Sequence, residues 1–370
     1  MKGGPGGRQD DIGGVLFVPY SAWGHVAPML PVVAELTGRG IPVRVVAADR
    51  YRAAILRVGA EAVIPASSHE ARVPEGWRRS DVADRFRTWN SRRIAWRSTE
   101  LAMVGEMQRH RPEVCVVDPH IGWARRAAGR AGVGVIEFWT TYPKFWAGRS
   151  RGRQQLSLVN VLPELWPGIP RRLRGAHTVG PLVLDDPAGP PPTLVPGAGP
   201  LLVVSPGTVF ARSAEFFRGI VSEFAGSRWT VVVATTHLPA EALGRLPRNV
   251  LAQRWIRQAD LVQRADVLVT HGGMSSVQEA ILAGTPMVTA PRSREQRRTA
   301  SRLHELGVAE AIRQGELLRQ VERIVSNPLL RSRLDGIRAR AARADGARRA
   351  ADVVAGIADR RSPASGSARV

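Results

Sequence analysis

Short apolar runs recur along this chain, each followed by a stretch of helical periodicity, and the series begins twice. The first half carries "GVLFVPY" (14–20), "IPVRVVAA" (41–48), "EVCVVD" (113–118) and "GVGVIEF" (132–138). The second restarts with "PLLVVS" (200–205), then "RWTVVVAT", "NVLAQRW", "ADVLVTH" and "TPMVTAP" (285–291). Runs this short and this uniformly apolar, alternating with helical patterns, imply buried parallel strands in βα units. Between the two series lies "LDDPAGPPPTLVPGAGP", which its Pro and Gly content marks as a linker. The expected organisation is a first Rossmann-like domain over 14–183, a linker over 184–199 and a second Rossmann-like domain over 200–359. Residues 1–13 and 360–370 are expected to be disordered tails. Open α/β sheets bind ligands at the carboxyl ends of their strands, so the loops that follow strands carry the functional information.

Composition sets outer bounds. At 370 residues, 44% hydrophobic and 23% charged, the chain has enough material for two cores. No apolar run is long enough to span a bilayer, and the start "MKGGPGGRQDDIGG" lacks the apolar stretch of a signal peptide. A soluble, cytoplasmic protein is expected. Cys115 is the only cysteine, which excludes an intrachain disulfide, and it reads as a small buried residue. The net charge of +21 is carried almost wholly by arginine, since Lys2 and Lys144 are the only lysines. Such a field attracts nucleotides and phosphates. The chain has no nucleic-acid-binding module and no concentrated basic stripe, so no specific nucleic-acid partner is expected.

The segment "THGGMSSVQEAILAGTPMVTAP" (270–291) is the richest in chemistry. A strand runs into His271, Gly272 and Gly273, and a helix opens at Ser275 and Ser276, closing at Gly284. A helix start offers unpaired N–H groups and the positive end of the helix dipole. Glycines let an anion approach the backbone, while serine hydroxyls and an imidazole add donors. Two readings stay open on this stretch alone: a diphosphate cradle, or a Gly-rich turn with a serine cap and a surface histidine. Glu279 lies one turn deeper in the helix, where it can accept from sugar hydroxyls. Glu295 and Gln296 follow the next strand.

The spacing of His271, Gly273, Ser276 and Glu279, followed by Pro286, Pro291 and the Glu-Gln pair, resembles the donor signature of nucleotide-sugar glycosyltransferases with the GT-B fold. Within them the chain is similar to the bacterial macrolide and antibiotic enzymes, relatives of the plant and animal UDP-glycosyltransferases. The similarity runs from about residue 14 to 355 and is most specific over 249–308, where Trp255 and Gln258 also match. It implies an α/β GT-B architecture, with two Rossmann-like domains facing each other across a cleft. By position, Thr208, His271, Ser275 and Ser276 would contact the diphosphate with Gly272 and Gly273. Glu279 would hold the ribose, Trp255 and Gln258 would flank the base, and Glu295 with Gln296 would bind the transferred sugar. Trp255 also has a plainer reading as a core aromatic.

The loop after the first strand holds His25, with Gly24 read as a tight-turn residue and Pro28 at an early helical position. The resemblance makes His25 the general base and Asp118, at the end of "EVCVVD", the carboxylate that orients it. His120 reads as incidental. The chain has no Asp-x-Asp motif, so an inverting, metal-independent transfer from a UDP- or TDP-linked sugar is expected, with no other cofactor. Eight of the ten tryptophans precede the linker, in keeping with a small apolar or aromatic natural-product acceptor. Departures from the family pattern are Arg257 for a proline, Met274–Ser275 for Trp-Asn, Thr299 for Asn, Ala27 for Asn, and a short 140–184 region. Two alternatives share the layout: a nucleotide-sugar epimerase and a non-catalytic auxiliary protein.

Overall fold

The computed structural model describes residues 13–64, 100–143, 156–167, 175–184, 199–207 and 212–361. Thr208 and most of the Pro/Gly-rich linker lie outside the described residues. So do Trp77, Trp89, Trp96 and Trp146, four of the tryptophans read as acceptor-side. The chain divides into two compact units.

The first unit is built on a parallel sheet of seven described strands: β1 Val15–Val18, β2 Val43–Val46, β3 Glu61–Val63, β4 Val114–Val117, β5 Gly134–Trp139, β6 Ser157–Val159 and β7 Ala176–Thr178. They are ordered β3-β2-β1-β4-β5-β6-β7. Every residue of β1 and β4 is buried, which is why those stretches read as unbroken apolar runs. Leu16, Val18, Cys115 and Val117 pack on Met103 and Met107 from the helical residues 100–110, and on Ala124, Ala127 and Ala128 of helix Gly122–Arg130. Cys115 is fully buried, and burial pushes its thiol pKa far up, as expected for a packing residue.

The second unit has β8 Leu201–Ser205, β9 Thr230–Ala234, β10 Val250–Gln253, β11 Val267–Thr270, β12 Met287–Thr289 and β13 Ala309–Ala311, all parallel and ordered β10-β9-β8-β11-β12-β13. Its core gathers Leu202, Val204, Val231 and Val233 with Phe217, Ile220 and Phe224 of helix Ala214–Phe224, and with Trp229. Both sheets wind outward in two directions from a central pair of strands, β1/β4 in one and β8/β11 in the other. In an open parallel sheet that point of reversal leaves a crevice at the carboxyl edge.

The unit boundaries depart from the expected ones at two places. Helix Gly346–Arg361 belongs to the first unit, although the second domain was expected to run to 359. Its Ala350, Ala351, Val354 and Ala358 are buried, and Asp352 pairs with Arg39 at 2.7 Å, at the end of helix Leu30–Gly38. Small residues on one helical face let two helices approach closely, and that face carries no sign of which sheet it serves. In the other direction, Val161–Gly168 belongs to the second unit. There Glu164 accepts from Arg302 Nε through its carbonyl at 2.8 Å and from Arg340 Nε through its carboxylate at 2.6 Å.

Candidate active site

In the first unit the site grows from the β1/β4 switch point. The two strands run in register, Val18 beside Val117, so the chain leaves both at one level. After β1 a single helical turn, Trp23–Val26, carries His25, and a 3-10 turn Ala27–Met29 with an early Pro28 leads into helix Leu30–Gly38. Gly24 lies inside this turn, with no positive φ and open space where a Cβ would sit. The tight-turn role read for it is not one the backbone requires.

Asp118 follows β4 directly and is fully buried. Its Oδ2 lies 2.6 Å from Nδ1 of His25, and its Oδ1 accepts from the backbone N–H and Nδ1 of His120, both at 2.8 Å. Burial alone would raise the Asp118 pKa. The hydrogen bonds from His120 and His25, with their charge interactions, outweigh it and hold the carboxyl well below its ordinary range. An ionised carboxylate only accepts, so each histidine must carry a proton on Nδ1, which leaves Nε2 on the far side of the ring from the carboxylate. His25 and His120 meet edge to face with ring centroids 5.4 Å apart, and Tyr20 and Trp139 pack against them at 5.1 and 6.1 Å. His25, Asp118 and His120 also form a cluster in which one ligand atom from each lies within 4.8 Å of the others, a spacing that suits a metal ion as well as a proton relay. His120 is the residue the sequence reading passed over. The signal was its i+2 spacing from Asp118, which lets both N–H and ring fold back on one carboxylate.

In the second unit the equivalent position, after β11, is occupied by His271. The backbone turns at Gly272 with φ +79°, where a Cβ would press to 3.2 Å from the Gln296 carbonyl. A Cβ on Gly273, or on Gly207 after β8, would collide with the imidazole of His271. These glycines therefore make room first for the ring. Burial lowers the His271 pKa to about 4, with Ser205 opposing and Arg212 adding, so the imidazole is neutral near pH 7. Its Nδ1 is buried without a partner.

Helix Met274–Ala283 starts from Gly273 with no side-chain cap and ends at Gly284 in the left-handed conformation. The serines do not cap it. Ser276 is buried and accepts from Gln258 Nε2 at 2.9 Å, while Ser275 is partly exposed. The same Gln258 amide donates to the Glu279 carboxylate. Burial raises the Glu279 pKa to about 7, with the Gln258 bond opposing. Ser276, Gln258 and Glu279 thus form one polar edge. Trp255 stands near it in sequence with 63% of its surface exposed, which rules out the core reading. Glu295 is partly exposed at the start of helix Arg294–Glu305. Gln296 is buried in that helix's capping box: its Oε1 accepts from Arg292 and Ser293 N–H, and its own N–H bonds Ser293 Oγ. Its side-chain oxygen is therefore committed to the helix start.

Comparisons with known proteins bear on the fold and the enzyme class. The family described as UDP-glucoronosyl and UDP-glucosyl transferase matches residues 196–329, within the second unit. The glycosyltransferase of kitacinnamycin superimposes with a TM-score of 0.74 at 25% identity, covering 93% of this chain and 99% of that one. The chain is a glycosyltransferase of the GT-B fold. Among sequences, the demethyllactenocin mycarosyltransferase of Streptomyces fradiae is 28% identical over 93% of this chain and 86% of its own length. The oleandomycin glycosyltransferase of Streptomyces antibioticus is 36% identical over 43% of this chain, which spans only 38% of that enzyme. The resemblance is thus to the macrolide and antibiotic branch of the nucleotide-sugar glycosyltransferases. Among the described residues, no helix is long and apolar enough to cross a membrane.

Proposed function

We propose that the chain transfers a sugar from a UDP- or TDP-linked donor to a hydroxyl of a small natural-product acceptor, with inversion and without a metal. The observation that carries this reading is the buried Asp118 carboxylate 2.6 Å from His25 Nδ1. It leaves the opposite ring nitrogen free to accept a proton. As the acceptor oxygen bonds to the anomeric carbon, its proton passes to His25 Nε2, and Asp118 stabilises the imidazolium. The bond from that carbon to the diphosphate oxygen breaks, and the nucleoside diphosphate departs with the electron pair. Attack opposite the leaving group inverts the centre.

On the donor side, Trp255, Gln258 and Glu279 recognise the nucleoside. His271, Ser275, Ser276 and the uncapped helix start, with Thr208, meet the diphosphate. Glu295 contacts the sugar. Gln296 serves chiefly by fixing the helix from which Glu295 projects. The relatives named for macrolide substrates favour a polyketide-like acceptor. Tyr20, partly exposed beside His25, offers apolar surface for it.

The test is His25→Ala, with UDP- and TDP-sugars and a panel of polyketide and aromatic alcohols. Transfer should fall by about a thousandfold or more, while UDP or TDP affinity stays within twofold. Full turnover by His25→Ala would remove the proposed base.

A further inference from the structure

Arg212, Arg292 and His271 lie at the carboxyl edge of the second unit's sheet without an acidic partner. Arg212 enters after β8, with its guanidinium carbon 4.6 Å over the Phe216 ring, and donates to the Ala290 carbonyl beyond β12. Ala290 stands two residues before Arg292, and its N–H bonds the carbonyl of Thr270 at 2.7 Å, one residue before His271. A short path of contacts thus ties three groups from three strand ends.

Some arginines of this unit are paired with carboxylates, as in Arg228–Glu322, Arg257–Asp260, Arg302–Glu305 and Arg340–Glu164. Among the described residues, no ion pair involves Arg212 or Arg292. Nε of Arg212 is buried with no acceptor. Burial and then the neighbouring Arg292 charge lower the Arg212 pKa, and Arg212 in turn disfavours charge on His271. A half-buried guanidinium beside a second cation is unfavourable until an anion joins them. His271, neutral near pH 7, adds a donor site rather than another full charge. The uncapped start of helix Met274–Ala283 adds backbone donors at the same edge.

We propose that Arg212 and Arg292 clamp the diphosphate of the nucleotide-sugar donor and read its charge, independently of the base. This rests on the donor-site reading above. Arginine suits the task because its planar fork can bond two phosphate oxygens at once. The clamp takes up the negative charge that grows on the diphosphate oxygen as the anomeric bond breaks, while the acceptor proton goes to His25. It also makes affinity depend on phosphate number.

The experiment titrates UDP, UMP and uridine, and the thymidine series, into wild type, Arg212→Gln, Arg292→Gln and the control Arg319→Gln at fixed ionic strength. Arg319 is exposed on helix Leu317–Val325, so its loss changes net charge alone. Arg292 is also exposed, which makes its variant a test free of folding effects. Each clamp variant should bind the diphosphate about tenfold or more weakly, the monophosphate less affected and the nucleoside unchanged. The control should match wild type throughout. Diphosphate affinity unchanged in Arg292→Gln and Arg212→Gln, or equal losses for nucleoside and diphosphate, would overturn the clamp. If wild type itself bound no nucleoside diphosphate, the donor-site reading would fail with it, a result distinct from unchanged variants.

Discussion

Glu279 changes charge inside the range where such enzymes are assayed, and this makes the donor site testable by pH alone. Burial lifts its pKa from the ordinary 4.5 to about 7, despite the Gln258 amide. The ionised fraction then falls from about nine-tenths at pH 8 to about one-tenth at pH 6. If the ribose hydroxyls donate to this carboxylate, only the ionised form binds fully, and donor affinity should drop by about tenfold over that interval. Binding should also release close to one proton at pH 6 and almost none at pH 8. UDP-glucose or TDP-glucose is the suitable probe, because a diphosphate esterified at both ends has no group titrating near neutrality. Calorimetry in phosphate-free buffers of low and high ionisation enthalpy, chosen to hold each pH, counts the protons, and Glu279→Gln should flatten the pH dependence. His271 stays neutral throughout, since its pKa is about 4. Stability follows with a definite sign. A carboxyl whose folded pKa lies above its unfolded one binds an extra proton in the native state between pH 4.5 and 7. Its contribution is therefore complete below 4.5 and lost as pH rises through 7. The charged form costs at most about 3 kcal/mol, so Glu279→Gln should melt above wild type at pH 8 and level with it at pH 4. Affinity that is flat from pH 6 to 8 in the wild type would refute the assignment.

Two further substitutions probe close approaches. Gly273→Ala places a Cβ against the His271 imidazole; UDP or TDP affinity should fall by about tenfold, roughly one charge-assisted hydrogen bond, with the melting temperature little changed. Wild-type affinity in that variant would mean that His271 does not contact the nucleotide. Gly346→Ala drives a Cβ into the Val179 carbonyl where the last helix begins, and denaturant unfolding should show a loss of about 2 kcal/mol or more. Asp352→Ala on the same helix breaks only the half-exposed pair with Arg39 and should cost under about 1 kcal/mol; equal losses would move the helix's anchorage from packing to charge.

The central strands were legible because burial on both faces leaves an unbroken apolar run: "VLFV", "VCVV", "LLVVS" and "VLVT" are buried at every position. The sheet margins were not. β3, β7 and β13 read Glu-Ala-Val, Ala-His-Thr and Ala-Glu-Ala, three residues each and partly exposed. At an edge, pairing to one neighbour suffices, and the side chains need no apolar signature. Gly346–Arg361 was legible as a helix but not as a member of the first unit, because its alanine face records close packing without naming a partner. Long-range membership of this kind is decided by the chain's return path, which no local period encodes.

Within the site, the sequence marks the residues that hang directly from strand ends and hides those that reach it by side-chain length. His25, Asp118 and His271 sit one to seven residues beyond central strands, where the order of an open sheet leads the eye. Along its own stem Arg212 reaches the edge of the second sheet where His271 lies, from a segment whose nearest signature is the glycine at 207. In a chain with 53 basic residues, a single arginine carries no contrast. Contrast appears only in space, where Arg212 is half-buried near a second cation and its Nε has no acceptor. The two glycines beside His271 show the reverse error: their place was legible, their reason was not. They were read as openings for a ligand, yet a Cβ on Gly273 would strike the imidazole itself and one on Gly272 would crowd the Gln296 carbonyl. A glycine pattern thus locates a crowded point in a fold, and only the geometry says what crowds it.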